Sequence, residues 1–96
     1  MQEKGIRVSR LAVEVLVCNQ RGLHARAAAK LVRLASNFDA VVTVAKDDAK
    51  VTATSILGLM MLGASLGSCL RLEADGQDAD QALSAIASLI QRGFDE

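Results

Sequence analysis

Apolar and polar positions alternate over residues 11–17, placing Leu11, Val13, Val15 and Val17 on one face. A period of two predicts a strand. Residues 19–22 break the pattern and read as a loop. From Ala25 to Asn37 the period becomes helical, with Ala28, Leu31, Ala35 and Phe38 on one side. Arg26, Lys30 and Arg33 recur at i, i+4 and i+7, so that helix carries a basic stripe. Residues 40–45 are apolar and β-branched, residues 46–49 form a turn, and residues 50–53 form a shorter strand, together a hairpin. Thr54 or Ser55 can cap a short apolar helix from Ile56 to Leu62, stopped at Gly63. Over residues 68–74, Leu70, Leu72 and Ala74 alternate with Cys69, Arg71 and Glu73, another strand. Asp75 and Gly76 turn the chain. Asp78 is the expected cap of a last helix whose inward stripe is Ala79, Leu83, Ile86 and Ile90, ending at Gly93. The order β-α-β-β-α-β-α predicts an α+β layer, an antiparallel sheet with helices on one face. Residues 11–94 form one domain in this reading, and residues 1–10 an extension before it.

Composition narrows the function. The 96 residues suffice for one domain, and 51% apolar against 23% charged residues is a globular balance. Eleven basic and eleven acidic residues give a net charge of zero, which argues against a uniformly basic nucleic-acid binder. The zero conceals a split: residues 1–33 sum to +5 and residues 34–96 to −5. An anionic partner is therefore expected at the first third. Phe38 and Phe94 are the only aromatics, so base-stacking platforms are excluded and Leu, Val, Ile and sixteen Ala must build the core. Cys18 and Cys69 are too few for a disulfide framework and are expected to be small, partly buried apolar groups. With His24 they lack metal-ligand spacing, so no metal and no cofactor is expected. Residues 51–70 carry no charge, but Gly58, Gly63 and Gly67 and several hydroxyls dilute them. They read as separate short elements, not as a membrane insertion. The charged N-terminal stretch does not resemble a signal peptide, and a cytoplasmic location is expected.

His24 is the single histidine and stands where a loop enters a helix. A helix N-terminus has unpaired N–H groups and a partial positive charge. A phosphate there would bond the backbone of Ala25 and Arg26. The same field opposes a positive ring and leaves a neutral nucleophile. The guanidinium of Arg26 matches phosphate oxygens, and Gly22 permits the sharp turn into the helix. Two readings of His24 stand on these grounds: a site for a transient phosphohistidine, or a surface histidine before a helix. Ser55 is likewise an ordinary N-cap or a phosphorylation site at a helix end. A short helix cannot bury all of its apolar residues, so Ile56, Leu57 and Met60 are a candidate docking patch. Lys30 and Arg33, with Arg26, are either a solvated face or its basic rim.

The segment Asn19-Gln-Arg-Gly-Leu-His-Ala-Arg-Ala-Ala28 resembles the active-site segment of the HPr phosphocarrier family of the bacterial phosphotransferase system. Thr54-Ser-Ile-Leu-Gly-Leu-Met-Met-Leu-Gly63 resembles the family's second signature, a regulatory serine before a short apolar helix. The resemblance implies an open-faced β-sandwich with the four strands in the order 1-4-2-3 and three helices on one face. It implies that His24 accepts a phosphoryl group on Nδ1 from an enzyme I-type, phosphoenolpyruvate-dependent partner and passes it to a IIA-type protein. Arg26 would neutralise the phosphoryl oxygens and Asn19 would lie beside the site. Ser55 would be the target of an HPr serine kinase, with the helix after it docking partners. The protein is expected to be a monomer, a carrier with no catalytic turnover of its own. The alternative is a regulatory binding module controlled through Ser55, with phosphate transfer secondary. Ala27 stands where many sugar-branch members have Pro; with Met60-Met61-Leu62 it looks more like the nitrogen-branch type. Thr54 stands where kinase-controlled members often have Lys.

Overall fold

The computed structural model describes residues 10–96. Nearly all of the expected N-terminal extension lies outside them. Seven elements follow the expected order: β1 (Arg10–Leu16), α1 (Ala25–Ala35), β2 (Val41–Lys46), β3 (Ala49–Thr52), α2 (Ile56–Met61), β4 (Cys69–Asp75) and α3 (Ala79–Gln91), then a 3₁₀ turn at Gly93–Asp95. The strands form one antiparallel sheet in the order β1-β4-β2-β3.

Alternation explains which strand lies inside. Leu70, Leu72 and Ala74 of β4 are buried under the helices, whereas Cys69 and Arg71 face out. Leu72 pairs with Val13 on one side and Val44 on the other, so one apolar row crosses the sheet. Val15 and Val17 are buried, but Leu11 and Val13 are exposed because β1 is an edge strand and its outer end lies partly beyond the helical cover. On the open face Glu73 bridges Arg71 and Lys50, which hold its carboxyl below the usual range, the Arg71 bond contributing most.

The helices pack as the apolar stripes require. α3 lies on β1 and β4, and α1 contacts both α2 and α3. Ala27, Ala28, Leu31 and Ala35 bury one face of α1. That helix ends two residues earlier than its period suggests. After Ser36 the chain tightens into i to i+3 bonds, Asn37 N–H to Leu34 and Phe38 N–H to Ala35, and Phe38 rests half-buried against the core. Among the described residues no helix is long and apolar enough to cross a membrane. The uncharged stretch 51–70 is divided among β3, α2 and β4.

Two local expectations need correction. Asp78 occupies the N-cap position of α3 without making a side-chain cap bond. Its Oδ2 instead accepts from the backbone N–H of Asp39 at 2.7 Å, tying the entrance of β2 to the start of α3. The cysteines are exposed, not partly buried. Cys69 faces out from β4, and the Cys18 thiol reaches the carbonyls of Ile90 and Gln91.

Candidate functional site

The loop before α1 is laced to the loop after α2. Val17 N–H donates to Ser68 O, Gly67 N–H to Val17 O, and Leu23 N–H to Ala64 O, at 2.8–3.0 Å. Gly22 has φ +66°, and a Cβ there would lie 2.4 Å from the Ala64 carbonyl oxygen. Only glycine combines that backbone with that approach. Buried Asn19 donates from Nδ2 to Gly22 O at 2.8 Å and closes the loop from inside.

His24 is thereby set as the N-cap residue of α1, with extended φ −79° and ψ 179°. Its carbonyl accepts from Ala28 N–H at 2.8 Å, starting the helix, while its ring makes no cap bond. The first-turn N–H groups, including those of Ala25 and Arg26, therefore have no partner within the helix. No acidic side chain lies in that turn, so the positive end of the helix stays open to an anion. The His24 side chain is 14% exposed. Arg26 is exposed and, among the described residues, its side chain makes no hydrogen bond or ion pair.

A second contribution comes from the other end of the chain. The 3₁₀ turn after α3 buries Phe94 completely. Gly93, Phe94 and Asp95 take positive φ in succession, at 67°, 57° and 62°. Two of these are not glycine, at a cost of order 1 kcal/mol each or more. Lys30 clamps the turn by donating to Phe94 O at 2.6 Å, and Arg92 pairs with Asp95. Glu96 then reaches the site: Oε1 accepts from Asn19 Nδ2 at 3.1 Å, and Oε2 meets His24 Nε2. Those two bonds, His24 foremost, hold the Glu96 carboxyl below its usual range.

The stripe on α1 is therefore divided. Arg26 and Arg33 are exposed cations, whereas Lys30 is half-buried and committed to the Phe94 carbonyl. Ser55, not Thr54, caps α2, its Oγ accepting from Gly58 N–H at 3.0 Å. Leu59 and Leu62 enter the core, and Ile56, Leu57 and Met60 are exposed, Leu57 by 69%. Met61, at 77%, is more exposed still and belongs to the same patch, though the sequence reading left it out. Glu96 was also missed. One signal for it existed: Phe94, one of two aromatics, directly follows the glycine that ends the last helix, where a large apolar residue serves as an anchor.

A family model described as the PTS HPr component phosphorylation site matches residues 11–92. The chain is 48% identical over 89 residues to the phosphocarrier protein NPr of Shewanella violacea, covering 93% of this chain and 98% of that protein. It is 45% identical over 83 residues to the phosphocarrier protein HPr of Cupriavidus necator, covering 86% and 93%. The crystal structure of HPr-C-His from Thermoanaerobacter tengcongensis superposes with a TM-score of 0.86 at 43% identity, covering 90% of this chain and 97% of that one. With the helix-end histidine, the 1-4-2-3 sheet and these matches agreeing, the chain belongs to the HPr family of phosphocarrier proteins of the phosphotransferase system.

Proposed function

We propose that this phosphocarrier takes its phosphoryl group on Nδ1 of His24 from an enzyme I-type partner charged by phosphoenolpyruvate, and delivers it to a histidine of a IIA-type protein. The observation that carries the reading is the placement of the ring at the open N-terminus of α1 with Nε2 engaged by Glu96. Nδ1 is then the nitrogen left for phosphorus. The N–H groups of Ala25 and Arg26 and the Arg26 guanidinium receive the three oxygens as charge builds on them. Asn19 shapes the site from below, its two donors turned to Gly22 and Glu96. The first-turn field and Arg26 hold the transferred group without any metal or cofactor, in the cytoplasm.

Docking is assigned to the apolar patch of Ile56, Leu57 and Met60, with the exposed Arg33 as its basic rim, Lys30 being taken by the Phe94 carbonyl. Met side chains adapt to several partners. Ser55 lies at the edge of that patch; a phosphate on it would bring nearly two negative charges there and repel acidic rims. This supports regulation by an HPr serine kinase as an accessory function. Ala27 and the Met60-Met61-Leu62 run favour the nitrogen branch, and the NPr relative points the same way.

The test is incubation with enzyme I and labelled phosphoenolpyruvate. The expected product is an acid-labile, base-stable adduct on His24, absent from His24→Ala. An unlabelled wild type, or a fully labelled variant, overturns the reading. Incubation with ATP and an HPr serine kinase, followed by mass mapping of Ser55, tests the regulatory part.

A further inference from the structure

We infer that Glu96 is a positioning residue for phosphoryl transfer: its carboxylate, held by Asn19 and by the Phe94 turn, fixes the His24 proton on Nε2 and directs Nδ1 at phosphorus. The inference rests on the carrier reading given above and assigns a role to a residue 72 positions from the histidine.

Each part of the arrangement constrains the next. The two donors facing Glu96 approach different oxygens, Asn19 Nδ2 at Oε1 and His24 Nε2 at Oε2. A carboxylate only accepts, so the ring nitrogen facing it must carry the hydrogen. Once Nε2 is protonated in a neutral imidazole, the lone pair is confined to Nδ1. The backbone that carries the carboxylate is anchored, because Phe94 is buried and its carbonyl is taken by Lys30 at 2.6 Å. The turn also keeps three successive residues at positive φ. Strained backbone persists where the surroundings over-determine it, and such places cluster at functional sites. Asn19 is oriented too: turned over, its oxygen would face the Gly22 carbonyl and the Glu96 carboxylate, both acceptors.

The transfer balances with the proton left in place. The Nδ1 lone pair forms the new bond to phosphorus as the donor's N–P bond breaks. The electrons of that bond return to the donor's ring. His24 becomes a phosphoimidazolium whose Nε2 hydrogen stays against Glu96. In the onward step the reverse applies. Phosphorus leaves, the Nδ1 lone pair is restored, and the ring departs neutral with the same hydrogen on Nε2. Glu96 thus stabilises the positive ring that forms in one direction and is consumed in the other.

The experiment measures the imidazole directly and the transfer separately. Long-range proton–nitrogen spectra of uniformly labelled wild type should show His24 as the Nε2–H form. Glu96→Ala should shift it to a mixture of tautomers and lower the single-turnover rate of phosphoryl uptake from charged enzyme I about tenfold. Glu96→Gln offers one acceptor where two donors need one each, and should fall between. Lys30→Met, read by the spectra alone, should move the tautomer in the same direction by loosening the turn. An Nε2–H fraction and an uptake rate in Glu96→Ala equal to wild type overturn the inference. A wild type that takes up no phosphoryl group defeats the carrier reading instead, and the spectra still decide whether Glu96 sets the tautomer.

Discussion

At the scale of single residues, the site depends on one that carries no chemistry. Gly22 is needed for both its left-handed backbone and its contact with Ala64. Gly22→Ala should cost about 2 kcal/mol or more, from the positive φ and the displaced carbonyl together, measured as a lower urea midpoint. Its phosphoryl uptake should fall as well, because the loop that sets the His24 ring moves with Ala64. Arg26 is the opposite case. It is exposed and makes no contact that the fold needs, so Arg26→Ala should leave the unfolding midpoint within about 0.5 kcal/mol. It should slow transfer about 10- to 100-fold by removing charge stabilisation at the phosphoryl oxygens. Single-turnover kinetics beside a denaturant titration separate the two effects; an unchanged rate would remove Arg26 from the chemistry. The placement of His24 and Arg26 at a helix entrance was legible because the loop-to-helix signal is local and they sit two positions apart. Glu96 was not, because its contact with His24 spans the chain and depends on how one buried phenylalanine folds the last turn back.

At the scale of elements, capping and tail docking decide what holds the site's borders. Ser55 satisfies one first-turn donor of α2. Ser55→Ala should destabilise the protein by about 1 kcal/mol, read from chemical unfolding. The tail behaves as a pH-dependent element. Glu96 titrates below its ordinary value near 4.5 because the folded state favours its charged form, through His24 first, then Asn19, with Arg21 adding attraction. Asp95 is lowered in the same way by Arg92 and, through charge, by Lys30. A depressed carboxyl contributes stability above its unfolded value and loses it as pH falls through the folded one. The 3₁₀ turn should therefore weaken as pH falls below the ordinary carboxylate range and release as it passes through the lower folded value, seen as loss of amide protection at residues 93–96 before global unfolding. Protection persisting in Glu96→Ala down to the same pH as wild type would show that Glu96 does not hold the turn. The order of elements followed from hydrophobic period, since each stripe is written within a dozen residues. The Asp78 bond to Asp39 did not: at the residue scale an aspartate before a helix looks like a cap, and only the meeting of two distant segments gives it a better donor.

At the scale of the whole molecule, the distribution of charge bears on how a partner would arrive. The +5 carried by residues 1–33 includes Arg26 and Arg33, exposed on α1, which packs beside the apolar α2. The compensating −5 lies in residues 34–96. The fold does not keep the two segments apart, since Glu96 meets His24 and Asp95 lies within the field of Lys30, so the cations left to attract an acidic partner on α1 are the exposed Arg26 and Arg33. An exposed apolar centre with charged borders suits brief contacts, since the charges speed encounter and the small apolar area limits residence. Screening shortens the reach of such steering to about 3 Å at 1 M salt, from about 10 Å at 0.1 M. Phosphoryl exchange with enzyme I at limiting concentrations should therefore slow by roughly tenfold between 0.05 and 0.5 M salt, whereas the rate at saturating partner should change little, because the reacting atoms are then already in contact. Met61→Glu, placed at the most exposed point of the patch, should weaken the same encounter without altering stability by more than about 0.5 kcal/mol. Its effect should persist at high salt, because it removes apolar contact as well as adding charge. If salt and Met61→Glu both leave exchange at limiting concentration unchanged, partners approach by another face, and the open sheet around Arg71 and Glu73 becomes the surface to mutate.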